Sequence, residues 1–308
     1  MERSTQLLAI LLLEAAIGYP QWLYRAIRHP VVWMGSLITV LEARWNFGTE
    51  RRRLIAGCAA MILLVFVVAT VGVLFEWMSN TWQPAFLALA LVGTTMLAQR
   101  SLYTHVADVL RPLEAGDLGA ARVAVAKIVG RDTGSLDAEG VATGAIESLS
   151  ESFCDGIVAP AFWFLVAGLP GLIACKAINT ADSMIGHKDE RHRAFGWAAA
   201  RTDDLVNFIP ARLAGLLICA VGPGGLITMF RDAHRHASPN GGWPEAAMAG
   251  VLARQLGGPV SYDGESAHRA LLGSGPRPDV ASLRVALRVF ARACLALWMI
   301  VGALAWLQ

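Results

Sequence analysis

Charge is what this sequence has least of. Only 16% of its 308 residues are Asp, Glu, Lys or Arg, and 55% are hydrophobic, where a soluble domain carries roughly 25% charged residues. That excludes an ordinary water-soluble globule. The net charge of +2 is near neutral and evenly mixed, so there is no basic face for nucleic acid. The five cysteines (Cys58, Cys154, Cys175, Cys219, Cys294) include no CxxC pair. Their odd number argues against a disulfide framework, and they read as small buried hydrophobes. The sequence also lacks GxxxxGK(S/T), a GxGxxG after a strand, GxSxG and HExxH, so any nucleotide it uses is not held by a P-loop. Lysine is scarce too, three in all, yet Lys176 and Lys188 fall in one central stretch.

What the chain does have is apolar sequence of membrane length. Leu54 to Phe75 is an uncharged run of 22 residues, enough to cross roughly 30 Å of hydrocarbon. Trp77 to Gln99 is uncharged as well, and the two runs read as a hairpin linked near Glu76. About residues 4 to 24 read as a retained first membrane helix, because Glu2 offsets Arg3 and Glu14 interrupts the run, unlike a secretory signal. Glu14 is either an acid facing the protein interior or the mark of a helix boundary. The last uncharged run, Ala293 to Gln308, has 16 residues, a short span helped by snorkelling of Arg288 and Arg292. Residues 157 to 178 and Phe208 to Thr228 are split by Gly168-Leu169-Pro170-Gly171 and by Gly222-Pro223-Gly224-Gly225, and read as broken or re-entrant segments.

The expected fold is therefore all-α. It is a polytopic integral membrane protein, one membrane-embedded domain over residues 1–308, with about four spanning helices and two broken or re-entrant helical segments. Helical polar inserts are expected at about 100–155, 179–207 and 229–288. Six arginines between residues 25 and 53 and five basic residues between 100 and 131 flank a hairpin link that has none. The positive-inside rule then puts the polar motifs in the cytoplasm.

Polar residues crowd the edges of this apolar sequence. Asp117 and Asp137 start amphipathic helices in the first insert, the former reaching Val129. Glu147, Glu151 and Asp155 are spaced i, i+4, i+8 on one helix face, where like charges repel; such a face is a cation site or a solvated surface. From Lys176 the chain reads KAINTADSMIGHKDERHRAFGWAAARTDDLVNFIPAR. Here Lys188, Arg191, Arg201 and Arg212 suit phosphate or carboxylate groups. Asp203, Asp204 and Asn207 are oxygen ligands of the kind Mg²⁺ takes when it bridges to a phosphate. Asp232, His234 and His236 could bind a metal or form a polar helix end. His29 precedes Pro30 as a turn or site residue, ahead of a helix from about Val32 to Trp45. A turn over Ser238 to Gly242 leads into a helix opened by Pro244, and Val280 to Phe290 is a further helix.

Four strings carry a resemblance: HPVVWMG (His29 to Gly35), IESLSESFCDGIVAPAFW (Ile146 to Trp163), KAINTADSMIGHKDERHRAFGWAAARTDDLVNFIPARL (Lys176 to Leu213) and DAHRHASPNGGWPEAAMAG (Asp232 to Gly250). In this order, over nearly the whole chain, they resemble the adenosylcobinamide-phosphate synthase family of cobalamin biosynthesis. The third string is specific. The chain departs from the family's usual GDP at Tyr19 and from its usual Asn at Ser152, which weakens a role for either position.

The resemblance implies a multi-pass enzyme of the bacterial inner membrane that joins aminopropanol, or its phosphate, to a propionate carboxyl of adenosylcobyric acid through an amide bond. The corrinoid is then a substrate, and other cobalamin-pathway membrane enzymes are expected partners. A carboxylate does not condense with an amine unaided, so ATP and Mg²⁺ are expected, with activation as an acyl phosphate. On this reading Glu147, Glu151, Asp155, Asp182, Lys188, Glu190 and Arg191 are the catalytic candidates. Mg²⁺ falls to Glu151, Asp155, Asp203 and Asp204. His29, Lys176, Asn179, Arg201, Asn207, Arg212, His234, His236, Asn240 and Glu245 are the candidates for binding substrate or phosphate. The base that frees the amine is Asp182, Glu190 or His234. The rival readings are a transporter, whose spans would more often carry charge, and a non-catalytic scaffold for corrin-pathway enzymes.

Overall fold

Apolar sequence in a bilayer must satisfy its own backbone hydrogen bonds. In the computed structural model, which describes residues 2–82, 85–262 and 264–308, nearly all of it does so as helix. Helix α1 (Arg3–Ile17) ends short of residue 24, at Gly18, whose φ of 63° favours glycine. After α2 (Gln21–Ile27), His29 caps α3 (Pro30–Trp45): its Nδ1 accepts the Val31 N–H at 3.3 Å, and Pro30 fills the first helical position. Thr49 caps α4 (Glu50–Thr81) in the same way.

Helix α4 overruns the link expected near Glu76, and the next helix, α5 (Ala85–Thr95), has only 11 residues. The expected hairpin is thus one long span and a short helix; Gln83 and Pro84, within its second arm, lie outside the described residues. Glu76 can stay helical because its carboxylate has a partner, the Leu169 N–H, which donates to Oε1 at 3.0 Å.

Next come α6 (Gln99–Glu114), α7 (Leu118–Val125) and α8 (Ala138–Phe153), the last two capped by Asp117 and Asp137. Helix α7 stops before Val129. A π-helical turn, Cys154–Val158, leads into α9 (Ala159–Ile185), which is broken at Gly168 (φ 68°, ψ −155°), where the sequence places a break. Helix α10 (Trp197–Val206) is next, then α11 (Phe208–Ala220) and α12 (Gly225–Asp232), separated at the expected glycines with Gly224 at φ 83°. Helix α13 (Gly242–Leu252) begins at the expected turn.

The strands β1 (Leu256–Tyr262) and β2 (Glu265–Leu272) form an antiparallel hairpin that the sequence reading lacks. Gly257 and Gly258, with positive φ, make an irregularity in β1 and blur its alternation. Helix α14 (Val280–Leu307) joins what the sequence separates into a helix and a short terminal run. By length and composition α4, the stretch Ala138–Ile185 and α14 can cross a membrane; Arg3–Ile17 with Trp22–Trp45, bent by 103°, is either a broken fourth span or a re-entrant loop. This is a helical membrane protein with about four spans, as the composition demands.

The chain folds as two compact units. One comprises residues up to Ala98, Asp155–Asn207 and Val301–Gln308. Its centre is α4 against α9, with α3, α5 and α10 around them. A Cβ on Gly57 would sit 1.9 Å from the Phe195 carbonyl oxygen, and one on Gly72 2.6 Å from the Pro170 Cα. Small residues at these crossings let backbones touch, which matters where lipid is as apolar as the helix and packing supplies the cohesion. The other unit comprises Gln99–Cys154 and Phe208–Ile300. There α8 and α11 pack on α13, and the hairpin joins α8 and α13. Its core includes Ile146, Leu149, Met229 and Phe153, the last edge-on to Phe290 at 5.7 Å.

Candidate functional site

Each unit holds its own polar cluster. In the second, α8 supplies Glu147 and α13 supplies Glu245 from its first turn, and both side chains are almost wholly buried, 2% and 1% exposed. Buried carboxylates need partners. Arg269, on β2, is that partner: its guanidinium lies 3.1 Å from Glu147 Oε2, 2.9 Å from Glu245 Oε1 and 2.7 Å from His236 Nε2. Arg131 binds Glu147 as well, and the Gly257 N–H donates to its Oε1 at 2.7 Å. The positive φ of Gly257 aims that N–H; a Cβ there would lie 2.1 Å from the Ala270 carbonyl oxygen.

Burial pushes the Glu245 carboxyl well up, with Glu147 and Glu151 adding to the effect against the pull of Arg269. Burial and the Arg269 charge push His236 down, towards the neutral imidazole. Glu151 is exposed at the edge, close to His236: a Cβ on Gly241 would meet His236 Cε1 at 3.0 Å and Glu151 Oε1 at 3.6 Å. Buried Asn240 accepts from Arg212 at 2.8 Å, and that guanidinium also lies 4.5 Å over the Trp243 ring. Fixed guanidinium groups beside a neutral imidazole and a carboxyl drawn towards its protonated form can recognise a carboxylate or phosphate and move a proton.

The second unit also corrects one reading. Asp232, His234 and His236 do not converge. Asp232 is fully buried and bound to Arg231 at 2.6 Å, Arg235 at 3.2 Å and the Gly273 N–H at 2.9 Å, while His234 is exposed and His236 faces Glu245 and Arg269. The arginines hold the Asp232 carboxyl low.

The first unit gathers Asp155, Asn179, Asp182 and Lys176 with Asp203, Asp204 and Asn207. Asn179 donates to Asp155 Oδ2 at 3.1 Å and also bonds Asp203. Asn207 donates to Asp203 Oδ2 at 3.0 Å, and Arg201 pairs with Asp204 at 2.9 Å. Asp203 Oδ1 and Asn207 Oδ1 are buried without a hydrogen-bond partner. Burial, with the charges of Asp182 and Asp204 beside it, pushes the Asp203 carboxyl up to about 7. Asp155 lies in the π-helical turn, so the straight-helix spacing from Glu151 is interrupted there, and Asn179 is its partner. Among the described residues no three His, Cys, Asp or Glu side chains lie close enough together to hold a metal ion by themselves.

Three further candidates, Lys188, Glu190 and Arg191, lie in the loop before α10. Arg191 forms a two-pronged pair with Glu42, 2.7 and 2.9 Å, and Arg53 donates to Asn46 and to the carbonyls of Glu190 and Arg191. These bonds anchor the loop to α3 and α4. Lys188 and Glu190 are exposed in it. His29 serves as the cap of α3. Arg131, Arg269, Glu42 and Glu76 are the residues that sequence reasoning misses. For Arg269 a signal exists: the Asp263-Gly264 pair is hairpin chemistry between two stretches of alternating polarity.

Fold and sites define a class, the helical integral membrane protein whose buried charges are organised at its polar elements. The family model for the CobD/CbiB protein matches residues 7–290, and the chain belongs to that family. Among its relatives are proteins named cobalamin biosynthesis protein CobD. That of Rhodobacter capsulatus is 47% identical over 297 residues, covering 95% of this chain and 94% of the relative. That of a Sinorhizobium species is 44% identical, covering 92% of each. That of Halalkalibacterium halodurans is 39% identical, covering 88% and 86%. No solved structure matches the chain.

Proposed function

We propose that this protein is a biosynthetic enzyme of cobalamin formation and catalyses its amide-forming step. Aminopropanol, or its phosphate, joins a propionate carboxyl of adenosylcobyric acid. The observation that carries the reading, together with family membership, is the buried array of Glu147, Glu245, Arg269 and His236 with Glu151 and Asn240 at its edge. Burying such an array is costly even when it is paired, and perturbed groups of this kind cluster at functional sites.

Arg269 and Arg212 suit the anionic groups of the reactants, a carboxylate or a phosphate. Neutral His236 can accept a proton at Nε2 if Arg269 turns towards a substrate, and Glu151 is exposed enough to meet the amine. Activation of the carboxyl, most simply as an acyl phosphate drawn from ATP, supplies the driving force. Mg²⁺ fits the donor chemistry of the first unit: the partnerless oxygens of Asp203 and Asn207 are hard donors, and this ion is commonly held by one or two carboxylates and a substrate phosphate. When bound it would offset phosphate charge. The basic residues between 25 and 53 support an orientation with the polar elements in the cytoplasm, at the bacterial inner membrane.

The test is turnover by detergent-purified protein given adenosylcobyric acid, Mg-ATP and either amine, with corrinoid products followed by mass spectrometry. The expected result is an ATP-dependent mass gain of one amine. Absence of product with both amines, in protein shown to be folded, overturns the proposal.

A further inference from the structure

A cavity at the N-terminal end of α4 takes no part in the reaction proposed above. Its volume is about 590 Å³ and its walls include Arg44, Arg51, Arg52, Trp45, Phe47 and Ile55. Ligand pockets span roughly 300–1,000 Å³, so its size admits a headgroup or a small amphiphile.

Its charges point to an anion. Among the described residues neither Arg44, Arg51 nor Arg52 pairs with a carboxylate; neighbouring Glu50 pairs with Arg193 at 3.4 Å, and Arg53 is engaged by Asn46 and loop carbonyls. Arg51 and Arg52 also stand in the first turn of a 32-residue helix. There the helix dipole is positive and favours acids, so both cations stand against it. One anion held among them offsets both effects.

Its walls point to an apolar tail. Ile55 is 60% and Phe47 50% exposed, and the Arg52 guanidinium lies 3.6 Å over the Phe47 ring. A free phosphate or small polar ester leaves those surfaces bare. We infer that this cavity binds an anionic phospholipid of the surrounding bilayer, its phosphate between Arg44, Arg51 and Arg52 and the start of an acyl chain along Ile55 and Phe47. Basic clusters flanking membrane helices are suited to anionic headgroups.

The test is native mass spectrometry of the full-length protein released from mixed micelles containing equal phosphatidylglycerol and phosphatidylcholine. Wild type should retain phosphatidylglycerol preferentially. Arg44→Gln, Arg51→Gln and Arg52→Gln should each lower that retention roughly fivefold. Ala59→Trp, which fills the apolar wall and leaves every charge in place, should lower it as well and covers the case in which the arginine variants misfold. Equal retention of both lipids overturns the inference, as does undiminished retention by Ala59→Trp. Displacement of the lipid by millimolar inorganic phosphate also overturns it, in favour of a free-phosphate site.

Discussion

Arg269→Met removes the one side chain that, among the described residues, bonds both Glu147 and Glu245 in the second unit. Breaking a buried ion pair by deleting one partner costs roughly 3–5 kcal/mol, because a charge is left buried and uncompensated. Three features of the structure set the value here. Glu147 keeps Arg131 and the Gly257 N–H, so it is not stranded. Glu245 loses the donor at 2.9 Å, and His236, 3.6 Å away and still pushed down by burial, is a poor replacement. Arg269 is itself 22% exposed, so solvent already weakens part of the interaction. The expected loss is therefore at the lower end, about 3 kcal/mol at neutral pH, or roughly 6–12 °C in Tm.

The pH dependence discriminates. Burial already raises the Glu245 carboxyl, and Arg269 is what opposes the rise. Without Arg269 the folded-state value climbs further above the unfolded one. A raised carboxyl costs nothing below the ordinary glutamate range, about 4.3, and costs more as pH climbs past it. The defect of Arg269→Met should thus shrink in acid and grow towards alkaline pH, and Glu245→Gln should recover most of it in the double variant. Arg269→Lys should fail to rescue, because a point charge cannot replace the planar fork. Thermal unfolding in detergent across pH, read by circular dichroism, checks this. A loss under about 0.5 kcal/mol, or one that does not change with pH, would show that Glu245 does not depend on Arg269.

Asp203, raised to about 7, favours the folded state least at high pH; Asp203→Asn in chelator-treated protein should raise Tm at about pH 8 and leave it nearly unchanged at about pH 4. Gly257→Ala, at φ 88°, should cost about 1–3 kcal/mol and speed hydrogen exchange in the hairpin, whereas exchange like that of wild type would mean the close approach to Ala270 is dispensable. Glu151→Gln should cut turnover by at least about a hundredfold with expression unchanged, and full activity would remove Glu151 from the site.

Much of this protein is legible in its sequence because the signals are local. An uncharged run of membrane length marks α4 and a shorter one the end of α14, Asp117 and Asp137 announce their helices, and glycines announce the breaks at Gly168 and Gly224. The four family-like strings likewise point to Glu147, His236 and Glu245 without knowledge of any contact. Who pairs with whom belongs to the folded chain alone. Glu147 meets Arg269 across 122 positions and Glu76 meets Leu169 across 93, and neither pairing leaves a periodic trace. A link placed at Glu76 is wrong for that reason: a charge near the end of an apolar run looks like water, until another helix offers it a backbone N–H. Periodicity and turn chemistry fix which segments become helices, but the partner of a buried charge depends on which faces those helices bring together.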